Sequence, residues 1–211
     1  MCKVGFLEKL CISDLSGLLM NEAKQIAEKF GMKYEYKKLI NAKEIDMEIL
    51  SKCVEKIFSE ASPKEIANII KNTKPYNGVV EFLHGIKSKG YKTYVITDNP
   101  LASLGEVKKV LKEKFPLEEI YSTSKINEET FEIESYSPKP EIFRSIYFNY
   151  KTPPEKILGV LQGKNDISLA YEIKKYGGIL IITNSNSKEL KEIADYNFKN
   201  TSYLPKILDK L

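Results

Sequence analysis

The sequence has no tryptophan, one histidine and three cysteines in 211 residues. Cys2, Cys11 and Cys53 show no CxxC spacing, and His84 does not complete a zinc set with them, so neither a structural metal nor a disulfide framework is expected. Arginine is nearly absent. Arg144 is the only one, and the remaining basic residues are lysines interleaved with acids. Nucleic-acid recognition usually draws on arginine, exposed aromatics or a basic stripe, whereas this pattern describes a solvated surface. Long apolar runs are also missing: the longest, residues 177–182, falls far short of the ~20 residues of a spanning helix. The opening Met1-Cys2-Lys3-Val4 starts no secretory apolar segment. Nucleic-acid and membrane partners are therefore not expected, and a cytoplasmic location is.

What remains is the composition of a folded chain, with 42% hydrophobic and 29% charged residues and a net charge of only +4. The length fits one compact unit with an insertion. The apolar run Leu10-Cys11-Ile12 reads as a buried strand that ends in the polar loop Ser13-Asp14-Leu15-Ser16-Gly17. From about Met20 to Asn72 the period is helical, with Met20, Ala23, Ala27 and Phe30 on one face and Met47, Leu50, Val54, Ile57 and Phe58 on another. Ser62-Pro63-Lys64-Glu65 has the form of a helix start with a capping box.

Beyond Pro75, helices and strands alternate. The strand 93–96 stops at Thr97-Asp98-Asn99-Pro100, and 120–121 with 130–133 read as short strands or a hairpin. Ser137-Pro138-Lys139-Pro140 opens a helix, and the strand 157–161 breaks at Gln162-Gly163-Lys164-Asn165-Asp166, with Asn165 expected as the next helix cap. Repeated β-α units predict a Rossmann-like α/β fold: a parallel sheet core flanked by helices (residues 1–19 and 74–211) with a small helical cap inserted after the first strand (20–73). Ligands in such sheets bind at the carboxyl ends of the strands.

Three strands thus deliver polar clusters to one edge: Asp14 and Ser16, Thr97 and Asp98, and Gln162 through Asp166, while Lys139 enters from a helix start. An acid, a hydroxyl, a lysine and a second acid suit an aspartyl nucleophile attacking a phosphoryl group. The hydroxyl and ammonium would hold the non-bridging oxygens, and a magnesium ion between the acids would offset the repulsion of anion by anion.

In these motifs the sequence resembles the haloacid dehalogenase superfamily, in particular its phosphoserine-phosphatase-like branch, from about Lys9 to Phe198. Asp14-Leu15-Ser16-Gly17-Leu18-Leu19 stands where that family has Asp-x-Asp-Gly-Thr-Leu, Val95-Ile96-Thr97 matches the second motif, and Ser137-Pro138-Lys139-Pro140 the third. Gly163-Lys164-Asn165-Asp166 matches the tail of the fourth, Gly-Asp-Gly-x-Asn-Asp. The resemblance implies Asp14 as nucleophile, Thr97 as phosphate-binding hydroxyl and Lys139 as stabilising lysine. It implies magnesium held by Asp14, the Ser16 carbonyl, Asp166 and the Gln162 amide oxygen. Gly17, Asp98 and Asn99, in the same loops, are assigned to substrate binding, and the substrate is expected to be a small phosphorylated molecule.

Three departures accompany the matches. Ser16 replaces the acid that would protonate the leaving group and activate water, Leu18 replaces a threonine, and Gln162 replaces the first acid of the fourth motif. Loss of an acid/base group lowers turnover by typically about 10²–10⁴-fold. The alternative reading is accordingly an impaired member that binds a phosphorylated ligand or a protein partner. Without a cap arginine to grip a carboxylate, phosphoserine itself is not the expected substrate. Asn21 and Glu22 are read as surface residues, His84 and Arg144 as exposed helix positions, and Tyr36 as cap packing.

Overall fold

A computed structural model describes residues 8–16, 18–42 and 44–211. Eight strands and nine α-helices are described, and six of the strands form one parallel sheet. In chain order these are β1 (Lys9–Ser13), β2 (Tyr91–Thr97), β3 (Glu119–Ser122), then β6 (Ile157–Leu161), β7 (Ile179–Thr183) and β8 (Tyr196–Phe198), arranged β3-β2-β1-β6-β7-β8. β4 (Ser124–Ile126) and β5 (Ile133–Tyr136) make a separate antiparallel pair.

The central strands are apolar on both faces, as a sheet covered by helices on both sides requires. Alternation along β1 sends Leu10 and Ile12 to one side and Cys11 to the other. On the first side they meet Phe143 of α7 (Lys139–Tyr150), Leu169 and Ile173 of α8 (Ile167–Lys175) and Leu190 of α9 (Lys188–Ile193). On the second lie Phe82 and Leu83 of α5 (Val79–Ser88) and Val107 and Leu111 of α6 (Gly105–Lys114). Gly159 in β6 lets α8 approach closely, since a Cβ there would stand 2.8 Å from Ile173 Cδ1. Cys11 and Cys53 are free and buried. No helix among the described residues is long and apolar enough to cross a membrane.

Between β1 and α5 the chain forms α1 (Glu22–Lys29), α2 (Lys33–Asn41), α3 (Met47–Glu60) and α4 (Pro63–Asn72). The capping box at Ser62 is present, with Ser62 N donating to Glu65 Oε2 over 2.9 Å. The segment leaves and re-enters at adjacent points: Met20 bridges Pro75, and Tyr76 N donates to Leu19 O over 3.0 Å. That closure lets some fifty residues be inserted without disturbing the sheet. α4 packs along α6, so Ile66 and Ile70 share a core with Val107 and Leu111, while α2 reaches the turn Lys164–Asp166 at the strand ends. Phe58 of α3 stacks on Phe131 with ring centroids 4.4 Å apart.

Two local expectations need correction. Residues 130–132 are not strand: Asn127 Oδ1 accepts the N–H groups of Glu129 and Thr130, which turns the chain, and the hairpin strands lie outside it. Asn165 does not cap α8, because Lys164–Asp166 forms a 3₁₀ turn that puts Asp166 at the N-cap position.

Candidate active site

β1, β2 and β6 run parallel with their carboxyl ends together, so the residues that follow them share one region. Ser13 pairs in register with Val95 and with Val160, which aligns Asp14, Thr97 and Gln162 at neighbouring strand ends. Asp14, Ser16, Thr97, Asp98, Asn99 and Gln162 line a single cavity of about 310 Å³. Gly17 lies outside the described residues.

Lys139, at the first turn of α7, points into the core beneath this cavity and is only 3% exposed. Its ammonium lies 2.6 Å from Asp166 Oδ1, 2.9 Å from Asp98 Oδ2 and 3.3 Å from Asp14 Oδ1. Burial opposes its charge, but the three carboxylates outweigh that cost and hold its pKa well above the ordinary lysine value. One cation among three acids leaves an excess of negative charge. Accordingly burial pushes the Asp14 carboxyl up to about 8, Lys139 pulling it down and Asp166 and Asp98 pushing it further up.

Each acid is held differently. Asp166, fully buried, accepts Gln162 N at 3.1 Å and Gly163 N at 2.9 Å on Oδ2 while Oδ1 faces Lys139. At Gly163 an added Cβ would meet the Asn165 amide oxygen, so a larger residue there would have to displace that side chain from Asp98. Asp98 accepts the Thr123 hydroxyl at 3.0 Å on Oδ1 and the Asn165 amide on Oδ2. Thr97 is buried at the end of β2, and its hydroxyl oxygen accepts Asn99 N at 3.3 Å. Lys139 thus gathers Asp14, Asp98 and Asp166 by direct contact, and Thr97 and Gln162 join them through the shared cavity wall.

Among the described residues no group of three His, Cys, Asp or Glu side chains has the form of a metal site. The oxygen donors on offer are of mixed type. Gln162 Oε1 is buried without a hydrogen-bond partner, and its Nε2 donates to Asn184 O over 3.3 Å. An orphaned carbonyl oxygen on a residue that lines the same cavity as Asp14 is the kind of donor that suits a hard oxygen-seeking cation such as magnesium. Asp166 fits the direct-ligand role less well, since both of its oxygens are engaged.

Glu22 is not the surface residue expected from its position. It has no exposed surface, and its Oε1 accepts the Ser16 hydroxyl and, at 3.2 Å, the Asn99 side-chain amide, while Oε2 is buried without a partner. Burial pushes its carboxyl above the usual value, against hydrogen bonds from Ser16 and Asn99. The signal was there in the spacing: Glu22 precedes Ile26 and Phe30 by four and eight residues on the buried stripe of α1. Tyr36 also differs from simple packing, because it lines the cavity. Burial, then the Glu22 charge, raises its hydroxyl to about 12. Arg144 pairs with Glu172 at 3.1 Å and His84 is exposed, both away from this cavity.

Residues 8–170 match the family described as haloacid dehalogenase-like hydrolase. No match was found among curated proteins. Among solved structures, a phosphoserine phosphatase in apo form has a TM-score of 0.74 at 23% identity, covering 97% of this chain and 99% of the other. A phospho-aspartyl intermediate analogue of phosphoserine phosphatase has a TM-score of 0.75 at 21% identity, covering 98% and 100%. A phosphoserine phosphatase from T. onnurineus has a TM-score of 0.67 at 17% identity, covering 97% and 96%. At such identities the likeness is one of fold.

Proposed function

The chain belongs to the haloacid dehalogenase-like hydrolase family, and from that premise we propose that it is a magnesium-dependent phosphatase of a small phosphorylated molecule. The observation that carries this reading is the contact of Asp14 with Lys139, 3.3 Å apart at a strand end that opens into the cavity. A carboxylate oxygen of Asp14 attacks phosphorus, the bond from phosphorus to the leaving oxygen breaks, and the leaving group takes up a proton. Water then cleaves the aspartyl phosphate, releasing phosphate and restoring Asp14.

In this reading Lys139 offsets charge at the nucleophile and Thr97 offers a hydroxyl to the phosphoryl oxygens. Asp98 and Asn99 shape the wall against which the substrate rests, with Gly17 assigned to the same loops. Magnesium, when bound, would neutralise phosphoryl charge, and Asp14, the Ser16 carbonyl and Gln162 Oε1 would hold it. Asp166 acts on that site chiefly by fixing Lys139 and the Gln162–Gly163 turn. The helices of residues 20–73 serve as a cap over the core of 1–19 and 74–211, supported by the adjacent entry and exit of that segment. Low cysteine use is in keeping with a cytoplasmic setting.

The test is hydrolysis of acetyl phosphate and p-nitrophenyl phosphate with magnesium, beside Asp14→Asn, with intact mass used to detect a phosphoryl adduct. Activity that survives Asp14→Asn would refute the assignment. One feature favours a second reading, a binding protein for a phosphorylated ligand: Ser16 stands where the family carries an acid. In that case the wild type binds phosphate esters and forms no adduct.

A further inference from the structure

The strand-end loops line the cavity with polar and charged groups, and the helical segment lines it mainly with apolar ones. That segment contributes Ile26, Met32, Leu39, Leu50, Val54 and Ile57 to the wall beside the neutral polar Tyr36 and Asn41, and no charged side chain from residues 20–73 lines it among the described residues. The charged lining groups Asp14, Asp98 and Lys164 all belong to the strand-end loops. Glu22 lies behind the wall with no exposed surface, its Oε1 already engaged by Ser16 and Asn99.

Resting on the phosphatase reading, the geometry points to a substrate class: phosphomonoesters whose alcohol portion is apolar and uncharged, such as an alkyl or aryl group. With the phosphoryl group at Asp14, the remainder of the substrate must extend into the apolar part of the cavity. A carboxylate or a row of sugar hydroxyls placed there would lose its water and find few partners, which disfavours phosphoamino acids and sugar phosphates. A hydrocarbon instead gains with every methylene that leaves water. A volume of about 310 Å³ is at the lower end of ligand pockets, which limits the group to a small one.

Calorimetry with methyl-, propyl- and butylphosphonate in magnesium buffer tests this without turnover. Affinity should rise by about fourfold for each added methylene that is fully buried. O-phospho-L-serine should bind more weakly than butylphosphonate, and Leu50→Asn and Val54→Asn should each flatten the series. A flat series in the wild type, or phosphoserine binding as tightly as butylphosphonate, would overturn the inference. Failure of the phosphatase reading is distinguishable from this: the phosphonate series would climb while butyl and phenyl phosphate remain unhydrolysed. Hydrolysis combined with a flat series would remove the substrate assignment alone.

Discussion

The Ser16 hydroxyl donates a hydrogen bond to Oε1 of Glu22, a carboxyl with no exposed surface, and the Asn99 amide donates to the same oxygen over 3.2 Å. Replacing Ser16 by aspartate to restore an acid would therefore set a new carboxylate against a buried one, and like charges disfavour each other's ionisation. We predict that Ser16→Asp alone raises turnover of butyl phosphate by less than about tenfold. Ser16→Asp with Glu22→Gln should recover more of the 10²–10⁴ such a group supplies. Phenyl phosphates with good leaving groups should gain far less from either. Equal gains in the single and double variants would show that Glu22 does not oppose the restored acid.

As the proposed nucleophile, Asp14 would attack only as the carboxylate, and burial raises that carboxyl to about 8. kcat/KM for p-nitrophenyl phosphate should rise as pH climbs towards that value. Lys139→Met removes the charge that pulls the carboxyl down, so the limb should move to higher pH; Asp98→Asn removes a charge that pushes it up, so the limb should move lower. Added magnesium favours the carboxylate and should also move it lower. Stability follows the opposite sign to the usual acid. From the ordinary 3.8 up to about 8 the folded chain keeps a proton that the unfolded chain has lost, so this contribution declines as pH rises through that window. A pH profile unmoved by Lys139→Met would separate Asp14 from the observed limb.

Asp166 joins α8 to α7 and to the Gln162–Gly163 turn at once. Asp166→Ala leaves two backbone N–H groups without partners and takes the nearest carboxylate from the Lys139 ammonium. Lys139 keeps Asp14 and Asp98 as partners, so the loss comes chiefly from the unpaired N–H groups, at about 1–3 kcal/mol each, or several degrees in Tm for a chain of this size. Asp166→Asn keeps one acceptor oxygen for the turn and should lose less. A thermal melt in which Asp166→Ala matches the wild type would contradict this.

The sheet was legible because its strands are short apolar runs ended by breakers, and their loops carry the acids. The helices between Met20 and Asn72 were legible from their period, and the start of α4 from the capping-box string at Ser62. Asn165 misled because a 3₁₀ turn precedes α8, and nothing in the string Gly163-Lys164-Asn165-Asp166 distinguishes one extra turn from a helix start. Glu22 was missed for a different reason. Its partners Ser16 and Asn99 lie 6 and 77 residues away, and a charge at a helix start is ordinarily solvated. Lys139 could be singled out from its string, but only the fold reveals that one ammonium contacts three carboxylates.

Gln162, whose Oε1 is buried without a partner, lines the same cavity as Asp14 and Ser16. A neutral oxygen there offers a cation less than a carboxylate would. Gln162→Asp should raise magnesium affinity by at least about tenfold, which is ~1.4 kcal/mol. The substitution also gives up the amide bond to Asn184 O and adds an acid to a cluster in which Lys139 already serves Asp14, Asp98 and Asp166. The metal-free variant should accordingly melt below the wild type, and magnesium should raise its Tm by more than it raises that of the wild type, since a ligand that binds only the folded state stabilises it in proportion to its affinity. Gln162→Leu removes the oxygen while keeping much of the bulk, and should weaken magnesium binding. Calorimetric titration of the three proteins decides the matter: if Gln162→Leu binds magnesium as the wild type does, the orphaned oxygen faces no metal, and the ligands must be found among the other strand-end residues.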